Sequence, residues 1–208
     1  KPTAPAPWKS DPPPLLAGAV HGDGTLTYVG GSTRTFSGDF GLITSVGDGS
    51  ITVHRRDGKD ATAPTTDATC VRLNGRPASL ADVKPGQPAL VLQENGSSVV
   101  VRAGRQVLGG VTCGLFDGVV HGDSTLLYAD GSTRLFSYDR GRIASVGGTL
   151  ALIRRDCAKV AFSTDGSTRV QIDCEPASVE DLKTGEAAGV ISEAGHADLI
   201  RAFTAGMR

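Results

Sequence analysis

Two tripeptides carry the residue types best able to do chemistry: His21-Gly22-Asp23 and His121-Gly122-Asp123. An imidazole and a carboxylate are ligands that zinc and similar divalent ions accept, and each tripeptide supplies one of each. A metal would need three or four such donors to converge. The competing reading puts each tripeptide at a hairpin end, with the histidine packed on its strand and the aspartate accepting from turn amides. Arg34, Arg134 and the triplets Arg55-Arg56-Asp57 and Arg154-Arg155-Asp156 could receive an anion. Acids stand beside the triplets, however, and the expectation is surface ion pairs, which contribute little. The chain has no G-x-S-x-G elbow, H-E-x-x-H pair or glycine-rich phosphate loop. We therefore expect no catalytic residues, no resident metal and no cofactor. His54 and His196 lack histidine counterparts in the other half and read as incidental. Aromatic stacking of a sugar would have only Trp8 and three tyrosines to draw on.

These residues recur because a long segment is written twice. Val20 to Gly47 matches Val120 to Gly147 at an offset of 100, and after the glycine run the offset becomes 99. Arg55-Arg56-Asp57 then aligns with Arg154-Arg155-Asp156, Pro77-Ala78-Ser79 with Pro176-Ala177-Ser178, and Val100-Val101-Arg102-Ala103 with Leu199-Ile200-Arg201-Ala202. A period this long implies two domains rather than a solenoid. The division expected is a Pro-rich arm over 1–14, one repeat over 15–108, a connector over 109–114 and a second repeat over 115–208.

With 28 glycines, 11 prolines and short alternating runs of valine and threonine, the chain reads as all-β. The net charge of -1, with acids and bases mixed, gives no basic face for nucleic acid. No apolar run reaches the roughly 20 residues of a membrane-spanning helix. Starting at Lys1 without a methionine, the chain reads as a mature secreted protein. Four cysteines allow three pairings. Cys157 and Cys174 replace Gly58 and Gly75 of the first copy, and two cysteines gained together are most simply partners. That leaves Cys70 with Cys113. The alternative is four reduced core thiols. Disulfides would place the protein outside the cytoplasm.

The arm, with Pro5, Pro7, Trp8, Pro12, Pro13 and Pro14, can form neither helix nor central strand. It should gain order only in a groove of its own chain or of a neighbour. Within the first repeat the expected strands are Leu15 to His21, Thr25 to Val29, Thr33 to Ser37, Gly41 to Val46, Ser50 to Arg55, Thr69 to Asn74, Ala89 to Glu94 and Ser97 to Ala103. Turns are expected at Gly22-Asp23-Gly24, Gly30-Gly31, Gly47-Asp48-Gly49 and Asn95-Gly96, and a helical turn between Pro77 and Gln87. Asn95-Gly96-Ser97 also fits a glycosylation sequon. Many short strands with one helical turn point to a small closed barrel, which removes exposed edges.

Gly41-Leu42-Ile43-Thr44-Ser45-Val46, Ser50-Ile51-Thr52-Val53 and Ser79-Leu80-Ala81-Asp82-Val83-Lys84-Pro85-Gly86-Gln87 resemble an uncharacterised family of bacterial extracytoplasmic β-barrel domains. That pattern has a G-x-I-x-S-V hairpin and a closing L-x-D-L-K-x-G turn. The second copy keeps Gly141, Ile143, Ser145, Val146, Asp181, Leu182, Lys183 and Gly185 of it. The resemblance spans the later two thirds of each repeat and implies an OB-like barrel in a secreted or envelope protein, with no catalytic residues. The His-Gly-Asp segments lie outside it. The expectation is a secreted structural protein that forms a homo-oligomer or homopolymer through its arm, extracellular filaments included. The alternative is an envelope binding module for a small ligand, metal or polymer, with His21, Asp23, His121 and Asp123 as its site.

Overall fold

In a computed structural model, residues 16–104 and 113–204 are described. The arm, with Pro5, Pro7, Trp8, Pro12, Pro13 and Pro14, and residues 109–112 of the connector lie outside them. The fold is all-β, with a closed five-stranded barrel and additional strands. No helix among the described residues is long and apolar enough to cross a membrane.

The chain divides into two compact units between Leu135 and Phe136. The first holds β1 (Ala19–Tyr28), β2 (Thr33–Gly47), β3 (Ser50–Arg55), β4 (Asp60–Pro64), β5 (Cys70–Leu73), β6 (Arg76–Ala78), β7 (Pro88–Glu94), β8 (Ser97–Ala103) and β9 (Val119–Tyr128). This division differs from the sequence period, because β9 pairs antiparallel with β1 and so belongs to the first unit. Strand β2 is the hub. Its first half pairs with β1 and its second half with β3, while β7 runs along its other edge. β8 continues from β7, and β5 joins β8 in parallel.

In the second unit β10 (Thr133–Ser145), from Phe136 on, is joined by β11 (Thr149–Arg154), β12 (Lys159–Ser163), β13 (Arg169–Ile172), β14 (Glu175–Ala177), β15 (Ala187–Glu193) and β16 (His196–Phe203). Here the ladder closes: β10 pairs with β11, β11 with β12, β12 in parallel with β16, β16 with β15, and β15 with β10. The β13–β14 hairpin is added along β16.

Period-two alternation sends one row of side chains inward from each strand. In the first unit Ile43, Ile51, Val53, Val91 and Val101 form the core, and in the second Ile143, Leu150, Leu152, Val190 and Ile200 do. Burying each stabilises by about 1.5–3 kcal/mol. Tight hairpins come from residues that accept positive φ: Asn74-Gly75 and Asn95-Gly96 take it at both central positions, as a type I′ turn requires. The helical turn appears as one 3-10 turn over Leu80–Asp82, with the Ser79 amide and hydroxyl both donating to Asp82.

Two readings of the strands are corrected. Gly22-Asp23-Gly24 is not a turn but the middle of β1, and the strands expected at Thr33 to Ser37 and Gly41 to Val46 are one strand, β2. Glycine serves close approach here rather than a bend. A Cβ on Gly22 would lie 2.6 Å from Leu126 Cδ2, and one on Gly41 only 2.3 Å from the His54 carbonyl oxygen. Strand β4, Asp60-Ala61-Thr62-Ala63-Pro64, and the short β6 were not anticipated, because only two alanines carry the alternation of β4 and β6 is three residues long.

Cys70 and Cys113 form a disulfide across 43 residues, as expected. Cys157 and Cys174 do not pair and are exposed free thiols. Each sits at a left-handed turn position, φ 67° and 69°, where the first repeat has Gly58 and Gly75, so both side chains are carried on turns rather than packed together. Replacing Cys70 and Cys113 with alanine should lower the stability of the first unit by about 4 kcal/mol on the loop-entropy estimate. Denaturant unfolding followed by circular dichroism would read that loss.

Candidate functional site

Of the residues singled out by sequence, His21, Asp23, Arg55 and Asp57 are brought together in the first unit. His21 lies on β1 directly opposite Asp39 of β2. Its Nδ1 is 2.8 Å from Asp39 Oδ1, and its Nε2 is 3.2 Å from Asp23 Oδ2. His21 and Asp23 share one strand face because β1 is continuous and they are two residues apart. Asp39 shares the inward face of β2 with Ile43 and is 4% exposed. A carboxylate so placed needs a partner, and Arg55, at the end of β3 and 8% exposed, donates Nη1 to the same Oδ1 at 3.0 Å. Arg55 then grips Asp57 through Nε at 3.0 Å and through Nη2. The result is a chain of contacts, Asp23, His21, Asp39, Arg55, Asp57, running from an exposed carboxylate on β1 across β2 to the end of β3.

The expectation of surface ion pairs at the triplets is therefore corrected for their first arginine. Arg55 is a buried cation neutralised on two sides, by Asp57 within the triplet and by Asp39, and the sequence offered no mark of that second partner sixteen residues upstream. The second unit repeats the inner pair: Arg154 Nη1 donates to Asp139 Oδ1 at 2.8 Å, and its Nε and Nη2 reach Asp156 at 3.1 and 2.8 Å. On β9, His121 Nε2 stands 3.0 Å from Asp123 Oδ2. Arg34 is a partly exposed pair, bidentate to Glu94 and stacked over Phe36 at 5.1 Å.

The titration behaviour follows from these contacts. The hydrogen bond to Asp39 raises the His21 pKa above its ordinary value, against a smaller opposing effect of burial, and the charges of Asp39 and Asp23 add to the rise. Burial on its own would raise the Asp39 pKa; the hydrogen bonds and charges of His21 and Arg55 together overcome it and hold the carboxyl low. For His21 a raised folded pKa means that its contribution is fully present below the unfolded value and is lost as pH rises through the folded one. For Asp39 the contribution is present above the unfolded value and lost as pH falls through the depressed one. The network is intact between the two. We expect the His21 imidazole to titrate above about 6.5 by NMR, and Asp39→Asn to bring it down, with an unmoved pKa counting against the pair.

What this arrangement does chemically is bind strands together. Both ring nitrogens of His21 face carboxylates, so the protonated imidazole donates to both. Among the described residues no group of three or more histidines, cysteines and acids is placed to hold a metal ion. The two histidines read as incidental also have partners. His54 Nδ1 is 2.6 Å from Asp60 Oδ1 across the β3–β4 ladder. His196 lies 3.3 Å from Ser163 and 3.4 Å from Ser167, with Asp165 at 3.6 Å. Its carboxylate is beyond hydrogen-bond reach and bonds instead to the Ser167 amide and hydroxyl at 2.7 and 2.6 Å. That cluster fixes the turn after β12 against the start of β16.

Fold and site together define an all-β barrel protein whose conspicuous polar residues are engaged with one another. The chain matches no protein-family model and no curated protein sequence.

Proposed function

We propose that the chain is an extracytoplasmic structural and interaction protein with no catalytic role, built from two repeats of one OB-like barrel and assembling with further copies of itself through the arm at 1–14. The observation that carries this reading is the mutual engagement of the histidine, aspartate and arginine side chains that the sequence singles out. The His21, Asp39, Arg55, Asp57 chain locks strand to strand, and the same arginine-centred lock recurs at Arg154. The duplication is supported by strands that follow the sequence offset, β3 at Ser50–Arg55 and β11 at Thr149–Arg154. The OB-like plan is supported by the closed order β10, β11, β12, β16, β15, a five-stranded Greek-key barrel. The Cys70–Cys113 bond and the resemblance to bacterial envelope domains favour a location outside the cytoplasm.

Deleting residues 1–14 should leave folded monomers where the full chain forms larger particles. Light scattering and electron microscopy of the native material read the difference, and an unchanged particle size after truncation would overturn the assembly role of the arm.

A second reading, a binding module, is favoured by the outer face of β3 and β4. OB barrels bind polymers across the corresponding strands. Here Thr52 and Thr62 place hydroxyls 2.9 Å apart beside the His54–Asp60 pair. Elemental analysis showing a stoichiometric metal, or saturable binding of an envelope polysaccharide lost on Thr52→Val/Thr62→Val, would promote it.

A further inference from the structure

The β1–β9 ladder lies wholly within the first unit and has the form of a twofold interface. Gly24 faces Ser124, its own counterpart 100 residues on, and the pairs on either side are reciprocal. Asp23 faces Thr125 while Thr25 faces Asp123; Gly22 faces Leu126 while Leu26 faces Gly122. The packing obeys the same exchange. A Cβ on Gly22 would meet Leu126 Cδ2 at 2.6 Å, and one on Gly122 would meet Leu26 Cδ2 at 2.6 Å, so each strand's leucine covers the other's glycine. At the strand ends the Val29 amide donates to the Gly118 carbonyl at 2.8 Å and the Ala129 amide to that of Gly18 at 3.1 Å.

An interface in which every contact is repeated by a twofold is self-complementary. Nothing in it distinguishes the β9 of the same chain from the β9 of another copy. We propose that this ladder is an exchangeable joint, in which β1 of one copy pairs with β9 of the next. The hinge is the segment from Gly114 to Gly118, whose two end glycines both have φ 77° and whose start is held to β5 by the Cys70–Cys113 bond. Exchange requires that segment to change backbone angles and the Tyr28 hydroxyl to release the Leu115 carbonyl at 2.9 Å. It requires no new kind of contact. Because β1 and β9 sit on the same chain, exchange is head-to-tail and need not close, which yields a linear polymer. This deepens the self-assembly reading and rests on it, but it names a different joint from the arm.

The test uses the full chain with Cys157→Gly and Cys174→Gly, so that only engineered thiols react. In Thr25→Cys/Asp123→Cys the two thiols face each other across the ladder, and oxidation of the dilute protein locks it within the chain. The locked protein, once shown to melt with the parent's two-state profile or above it, should on concentration show at least a tenfold smaller assembled fraction than the parent. The single variants Thr25→Cys and Asp123→Cys, mixed, assembled and then oxidised, should give the mixed disulfide dimer in excess over both homodimers. Assembly of the locked chain at the parent's level, no excess of the mixed dimer, or a parent that stays monomeric at every concentration overturns the proposal. If truncation of 1–14 abolishes assembly and the lock does not, the arm reading stands and the exchange falls. The reverse pattern keeps the exchange and removes the arm.

Discussion

Arg55→Met should destabilise the first unit by about 3 kcal/mol at neutral pH, and the loss should grow as the solution is made alkaline. Arg55 is the charge that neutralises Asp39 from the end of β3, at 3.0 Å, and both are buried. Without it Asp39 keeps only His21, at 2.8 Å. An imidazolium neutralises a carboxylate and a neutral imidazole does not, so the variant's stability should drop further as pH rises through the His21 pKa. Arg55 also lowers the His21 pKa by charge repulsion, so its removal should move that pKa up and the alkaline limb with it. Adding Asp39→Asn should return most of the loss, since removing both members of a buried pair leaves no uncompensated charge. Urea unfolding of the single and double variants at several pH values reads all three effects. A single variant as stable as the parent across that range would show that the buried pair is not what holds β2 to the end of β3.

Gly41→Ala should be comparably severe, about 3 kcal/mol or more, although it adds one methyl group. Strand β2 changes neighbour there, from β1 up to Asp39 to β3 from Gly41 onward. The handover brings the β3 backbone so close that an alanine Cβ would lie 2.3 Å from the His54 carbonyl oxygen and 2.7 Å from its carbon. Both are backbone atoms held in the ladder, so the strands must part. Gly141 repeats the constraint at 2.4 Å from the Ile153 carbonyl oxygen. Gly22→Ala is the control. Its nearest neighbour is the far end of the Leu126 side chain, which can turn away, and its cost should be near 1 kcal/mol. Thermal melts of Gly41→Ala, Gly141→Ala and Gly22→Ala order them, and equal losses at Gly41 and Gly22 would remove backbone approach as the cause.

The limits of the sequence show in particular residues. Asn95-Gly96 between two apolar alternations fixed β7 and β8 nearly to the residue, because a type I′ turn is a local property of two side chains and their backbone. The same reasoning misplaced Gly22-Asp23-Gly24, whose letters equally describe a turn and a strand crossed closely by another strand. Cys157 and Cys174 were linked by their joint replacement of two glycines, yet they stand on turns as free thiols. Asp39 carried no mark of function at all. Its one available signal was parity, since it falls in step with Ile43 on the inward row of β2, where an acid must find a cation.

The amino-acid order alone determined the strand-rich class, the repeated plan with its change of offset, and most hairpins, since all of these rest on alternation and turn chemistry within a few neighbouring residues. Which histidine meets which carboxylate, which glycine yields to a passing backbone, and that β1 takes β9 as its partner were decided by the tertiary structure. Those outcomes depend on residues brought together from about a dozen to about 100 positions apart, and burial there sets a charge's partner and a glycine's necessity.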